Sequence, residues 1–322
     1  MSTAKLPGGR CRTGGPAAIV ALLAIAACGG EAAPFEGPAV VLLGTGTPNA
    51  DPVRSGPSVA IVAGDRSYLV DAGPGVVRRA AAAAARHGIP ALEARRLERV
   101  FLTHLHSDHT VGLPDLMLTP WVLERSVPLE VWGPPGIAEM LEHLAQAYQA
   151  DIRRRIDGLQ PQNPTGWRTV VHEVRAGVVY ADDHVTVSAV PVDHEDWEHA
   201  FGYRFETAAG VVVISGDARP SESLVAACAR CDILVHEVYS DRGFAERSPD
   251  WQRYHASAHT AARALGDLAG RAGPRLLVLY HQLFWGTAED ELVAEVRATY
   301  DGAVVSGKDL DVFKLAGHSG DN

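Results

Sequence analysis

Apolar residues recur along this chain in short, often β-branched runs, each closed by a turn or by a histidine or carboxylate. Residues 39–43 (A-V-V-L-L) predict a strand, and 58–63 and 67–70 predict two more about the turn Gly64-Asp65. A helix is predicted over about 76–87, with an alanine run through 81–85 and G-I-P at 88–90 as its stop. R-V-F-L-T at 99–103 predicts a buried strand. Next come a helix over 113–125, a strand over 129–132, a G-P-P-G loop at 133–136 and a long amphipathic helix to about 150. Residues 151–165, with two prolines, read as a surface excursion. Strands at 169–174, 178–180 and 185–190 follow, then a hairpin of 201–206 with 211–214. The final third alternates helix (260–269), strand (275–279) and helix (289–299), and closes on apolar runs at 304–305 and 310–315. Strands first, then strands mixed with helices in each half, predict an α/β protein. The expected architecture is an αββα sandwich of two mixed β-sheets stacked face to face, with helices outside.

The polar residues that end these runs carry the candidate chemistry. At 103–110 the chain reads T-H-L-H-S-D-H-T, placing His104, His106, Asp108 and His109 within six residues directly after a buried strand. Rigid scaffolds present chemistry where a strand hands over to a loop. Imidazole together with carboxylate suits zinc-like divalent ions, and the alternation lets His104 and His106 face one ion while Asp108 and His109 turn to another. A single loop histidine is ordinarily solvated; three with an aspartate at this spacing are not explained that way. The same kind of ending recurs: 185–190 leads to His194, 211–214 to Asp217, 232–235 to His236 and Glu237, and 276–280 to His281.

H-x-H-x-D-H resembles the signature of the metallo-β-lactamase superfamily of hydrolases, and the later strand-end residues extend the resemblance over most of 40–313. The resemblance implies that His104, His106 and His194 hold one metal ion and Asp108, His109 and His281 a second, with Asp217 as a bridging carboxylate. It implies two divalent ions, zinc being favoured by ligand type and manganese or iron compatible with it. A hydroxide shared by two such ions is a nucleophile at neutral pH. L-V-D-x-G at 69–73 resembles the superfamily element beneath the metals, which casts Asp71 as an outer-shell aspartate; a turn aspartate bonded to local backbone is the alternative. L-V-H-E at 234–237, A-S-A-H-T at 256–260 and L-Y-H at 279–281 look like the ribonuclease Z and arylsulfatase-like branch. There the histidine matching His259 gives a proton near the leaving group and the glutamate matching Glu237 orients it, so Asp108, His259 and Glu237 are the expected catalytic residues. The plainer reading of His259 is a solvent-facing histidine at a helix N-terminus.

Composition and charge then narrow the substrate and the compartment. With 322 residues, 47% of them hydrophobic, the chain can bury a substantial core. Lys5, Arg10 and Arg12 precede an apolar run at 17–27, too short to span a bilayer but suited to a signal peptide. I-A-A-C at 25–28 looks like a bacterial lipobox. The expected organisation is a lipoprotein-type signal peptide over 1–27, a tether over 28–38 and a hydrolase domain over 39–322. Cys28 would then anchor an exported lipoprotein to a membrane, in the periplasm or on an outer face; a secretory signal without lipid is the alternative. Loss of 1–27 removes three basic side chains and moves the formal charge from −10 to −13. So acidic a body repels polyanions, and R-R-R at 153–155 reads as a solvated face.

His194 and Asp217 also stand too close in sequence for the long tRNA arm common in ribonuclease Z. The expected partner is therefore a small anionic ester, with no nucleic acid. The expected reaction is attack of metal-bound hydroxide on a phosphodiester or a sulfate ester. Two rivals stand beside it: a lactonase or other lactone or β-lactam hydrolase on the same metals, and a non-catalytic metal- or ligand-binding surface protein. Homodimerisation is left open. Cys228 and Cys231 are buried thiols or one oxidised pair. His255 is expected beside His259 in the pocket, and Phe284 with Trp285 as an apolar wall or as core packing. His87, His143, His172, His184, His199 and His318 read as surface residues.

Overall fold

The computed structural model describes Phe35 and residues 37–316. The first of its two seven-stranded sheets contains β1 (Ala39–Gly44), β2 (Ser58–Ala63), β3 (Arg66–Val70), β4 (Arg99–Phe101), β5 (Leu129–Gly133) and β6 (Thr169–Glu173). The second contains β7 (Gly177–Ala181), β8 (Val185–Val192), β9 (Ala200–Thr207), β10 (Gly210–Ile214), β11 (Ile233–Tyr239), β12 (Leu276–Leu283) and β13 (Val304–Ser306). β14 (Val312–Lys314) returns to the first sheet and pairs antiparallel with β1. The helices are α1 (Val76–His87), α2 (Ser107–Thr110), α3 (Leu113–Val122), α4 (Ile137–Ala147), α5 (Gln149–Asp157), α6 (Glu222–Cys228), α7 (Asp241–Ala245), α8 (Pro249–Ala258), α9 (Ala262–Ala272) and α10 (Glu289–Arg297).

Strand alternation sorts the apolar residues into three layers. Along β1, Val41 and Leu43 face the layer shared with α1, α3 and α4, while Val40 and Leu42 face the second sheet. On β10 and β11, Val213 and Leu234 pack with α6, α9 and α10, while Val212 and Val235 turn to the middle layer. Central strands buried on both faces read as continuous apolar runs, which is why β1 and β2 are wholly buried. This is the αββα sandwich the sequence predicts.

The departures are local. The helix predicted to run to about 150 stops at Ala147, and a second helix, α5, occupies the start of the expected excursion. Arg155 on Asp151 and Arg153 on Gln149, each four residues apart, support it on an exposed face. α8, begun by Pro249 in its first turn, was not anticipated. β12 continues through His281 to Leu283 instead of ending before it. Cys228 and Cys231 form a disulfide. The apolar run at 17–27, Cys28 and His318 lie outside the described residues.

Candidate metal centre

Six chain segments point to one edge of the sandwich. β3 and β4 are parallel, as are β10, β11 and β12. β8 is antiparallel to β9 and β9 to β10, so β8 shares the direction of β10. These strands carry Asp71, the 103–110 motif, His194, Asp217, Glu237 and His281 towards that edge. His104 and His106 sit on extended chain after β4, whereas Asp108 and His109 ride on the helical turn α2. Gly216, at φ 62°, makes the turn that brings in Asp217; a Cβ there would lie 2.8 Å from the Thr103 Cβ and from the Phe201 carbonyl oxygen. His281 is the extra residue of a bulge: Glu237 pairs with Tyr280 and Val238 with Gln282. With φ 45°, it is re-aimed out of the ladder.

All seven residues expected as ligands converge. His104 Nε2 lies 3.0 Å, and His194 Nε2 3.1 Å, from His106 Nδ1. Beside this set, His281 Nε2 is 3.3 Å and His109 Nε2 3.6 Å from Asp108 Oδ2. Asp217 Oδ2 stands 3.5 Å from His109 Nε2 and 3.6 Å from His281 Nε2. Asp217 also groups with His104 and with His194, so it lies between the two sets. Hydrogen bonds behind the rings turn three Nε2 atoms inward. His109 Nδ1 bonds Asp71 Oδ2 at 2.8 Å, His104 Nδ1 bonds Thr103 Oγ1 at 2.9 Å, and His194 Nδ1 bonds the Ala258 carbonyl at 2.7 Å. Asp71 also accepts from the Thr103 amide and hydroxyl, so it is tied to the site rather than to its own turn. On the outer side, the Trp197 indole N–H points at His106 Nε2 from 3.0 Å.

Burial works against a charged His109 ring, yet Asp217, Asp71 and Asp108 together hold its pKa well above the ordinary histidine value. His281 is raised in the same way against its burial, chiefly by Asp217 and by its bond to Asp108. Burial instead wins at His104, which falls well below the ordinary value, and at His194, which falls to about 4. Burial and the Asp217 charge push Glu237 well above the carboxylate range.

A cation accounts for atoms the protein leaves unmatched. His109 Nε2 and Asp217 Oδ1 are buried with no hydrogen-bond partner, which native proteins avoid. Their position between imidazoles and carboxylates suits a divalent ion. Because the neighbouring carboxylates raise the pKa of His109 and of His281, metal uptake competes with protons at these two rings. Adding zinc to metal-free protein in weak buffer is thus expected to release protons, and more of them as the starting pH is lowered. Apparent metal affinity should fall as the pH is lowered; titration with a pH electrode and calorimetry in two buffers check this.

His259 does not face solvent at a helix start. It closes α8 and is 6% exposed, with Nδ1 3.5 Å from Glu237 Oε2 and 3.8 Å from Asp217 Oδ2. Glu237 Oε1 is held by the Thr260 and Ala218 amides, at 2.8 and 3.4 Å. His259 lines a cleft of about 680 Å³ that reaches Asp108, Asp217 and His281 inside and Arg247, Trp251, Tyr254, His255 and Trp285 further out. His255 and Trp285 therefore line the pocket, whereas Phe284 packs against the core beneath α6, α9 and α10, so the two aromatic neighbours divide between the two readings. Thr103, Trp197, Arg247, Trp251 and Tyr254 escaped the sequence reading. Trp251, Tyr254, His255 and His259 recur at three- and four-residue spacing, a helical-face signal of which only the His255–His259 step entered the sequence reading.

Residues 66–282 match the family described as beta-lactamase superfamily domain. Ribonuclease Z of Mycobacterium bovis (strain BCG / Pasteur 1173P2) is 37% identical over 280 residues, covering 84% of this chain and 96% of the relative. Ribonuclease Z of Mycobacterium sp. (strain KMS) is 40% identical over 252 residues, covering 76% and 84%. Among solved structures, the metallo-beta-lactamase fold protein YhfI from Bacillus subtilis aligns with TM-score 0.66 at 18% identity, over 87% of this chain and all of that one. Human tRNase Z, short form, aligns with TM-score 0.62 at 20% identity, over 86% and 99%.

These relatives overturn several expectations. The small anionic ester, the arylsulfatase-like and lactonase activities and the exclusion of nucleic acid give way to relatives named as ribonucleases. The short interval between His194 and Asp217, filled by the β9–β10 hairpin, was no argument, since this chain spans 96% of the length of one of them. Whole-chain charge misled because it says nothing about the charge at one cleft. The exported, lipid-anchored placement falls with the same relatives; its signal-peptide and lipoprotein features lie outside the described residues, and no helix among those described is long and apolar enough to cross a membrane. The chain belongs to the metallo-β-lactamase superfamily, in its ribonuclease Z family, and is a metal-dependent hydrolase.

Proposed function

We propose that this chain hydrolyses phosphodiester bonds in RNA. His104, His106 and His194 would hold one zinc ion and Asp108, His109 and His281 the other, with Asp217 reaching both. When bound, the ions would lower the pKa of water and offset charge on the phosphoryl oxygens. What carries the reading is that a chain spanning 96% of a 37% identical ribonuclease Z gathers the seven candidate ligands in adjoining groups, with His106, Asp108, Asp217 and His281 lining one cleft beside His259.

The protein's own groups do the rest. Asp71 and Thr103 hold the His109 and His104 rings in place from behind. His259, its Nδ1 turned to Glu237, presents Nε2 to the cleft and moves a proton there. Burial holds this ring down to about 4, so it enters neutral and able to take a proton; the anionic phosphate beside it then favours the protonated ring. The oxygen of water joins phosphorus and gives up a proton to solvent, the bond from phosphorus to the leaving oxygen breaks, and that oxygen takes from Nε2 a proton the ring has drawn from solvent.

The test is cleavage of a folded tRNA carrying a 3′ extension by the zinc-loaded protein. A single cut that disappears on chelation and returns with zinc is expected. No cut in RNA, alongside metal-dependent turnover of an aryl sulfate or a lactone, would overturn the reading.

A further inference from the structure

The outer half of the cleft is built from side chains that the chemistry at the metals does not use. Tyr254 packs 6.2 Å from the His259 ring and 5.7 Å from Trp251, so an aromatic surface starts at the proton-moving residue and runs outward. Trp251, at its mouth, is 50% exposed, and the His255 ring lies 4.4 Å from that of Trp285. Trp285 has φ 45°, a backbone that a bulky residue rarely adopts, so the fold holds this indole at the cleft against its own preference.

Arg247 supplies the second observation. Its guanidinium stands 5.5 Å over Trp251 and 5.4 Å over Trp285, and its Nε is buried with no hydrogen-bond partner. Among the described residues it forms no ion pair, while Asp250, the nearby carboxylate of the cleft, is taken by Arg253. An unpaired cation set among aromatic rings matches a nucleotide, whose base has a π-face and whose phosphate has the charge.

We propose that this cleft is a nucleoside subsite: the base of the nucleoside that carries the leaving oxygen stacks on Trp251 and Tyr254, and Arg247 holds that nucleoside's outer phosphate. The assignment rests on RNA being the substrate. The side follows from His259, which lies on the same wall and gives the leaving oxygen its proton. The other fragment then runs past Asp108 into the neighbouring groove of about 440 Å³, lined by Asn49, Arg54, Ser107 and Val111.

The test uses RNAs that lack one base, either on the nucleoside bearing the leaving oxygen or on the nucleoside across the scissile phosphate. In the parent protein, loss of the leaving-side base is expected to lower kcat/KM about 10-fold. Trp251→Ala should lower it about 10-fold on intact RNA and add little more on the leaving-side abasic RNA, because both remove the same stack. On the RNA abasic across the phosphate the two losses should multiply. Trp251 is half exposed, so the variant should fold; unchanged zinc content and circular dichroism confirm that. Arg247→Gln should weaken binding and flatten its salt dependence. Equal cleavage of leaving-side abasic and intact RNA by the parent, or a Trp251→Ala variant as base-sensitive as the parent, overturns the subsite alone. Failure of the parent to cut any RNA overturns the RNA reading itself.

Discussion

Replacing Asp217 with alanine is expected to leave the fold standing and empty the centre. The carboxylate's Oδ1 is buried without a partner and its Oδ2 faces the rings of His109, His281 and His259 at 3.5, 3.6 and 3.8 Å, so the contacts it loses lie within the centre and not in the scaffold. It nevertheless lies between the two ligand sets, where it would temper the repulsion of two neighbouring cations. If a site with about four ligands is worth about 10–16 kcal/mol, one ligand accounts for about 3 kcal/mol, or about 100-fold in metal affinity. Zinc per chain, measured after dialysis, should therefore drop below the parent value. RNA cleavage should fall by about 100-fold or more at a zinc concentration that saturates the parent, and recover in part with excess zinc. A variant that keeps its zinc and its rate would remove Asp217 from the centre.

His259→Ala should give the opposite signature, a lost rate with the metal retained. The His259 ring approaches Asp217 and also groups with Glu237 and His281, so geometry alone allows it a ligand role. The separation lies in the readout. A residue that moves a proton contributes about 10²–10⁴-fold to kcat, with KM and zinc content little changed. Zinc lost in step with activity would make His259 a ligand instead, and a rate within a factor of about three of the parent would leave it no part in proton transfer.

The residues of the candidate centre were legible because each obeys a local rule. An apolar run ends, and a histidine or carboxylate follows, at 104–109, 194, 217 and 281. The sandwich was legible for a related reason: strands buried on both faces print themselves as β-branched runs, and their alternation with helices limits the topologies. What escaped depends on contacts distant in sequence. The resemblance at 69–73 cast Asp71 as an outer-shell aspartate but did not announce that it would grip His109 and Thr103, and nothing near Trp197 announces His106. The bulge that re-aims His281 needs both β11 and β12 to be seen. The aromatic cleft needs α8 beside the turn after β12, although the helical spacing of Trp251, Tyr254 and His255 was readable. The substrate was misread for another reason. The charge of −13 expected for residues 28–322 sums a whole surface, whereas the subsite proposed above is local, with Arg247 unpaired beside Trp251 and Trp285.

The most direct measurement is the rate of RNA cleavage as zinc is titrated into the metal-free full chain, with bound zinc counted at each point. RNA cleavage should stay low through the first ion and reach its plateau at about two ions per chain. A plateau at one ion, or a chain that holds two ions and leaves RNA uncut, would contradict a two-ion RNA phosphodiesterase.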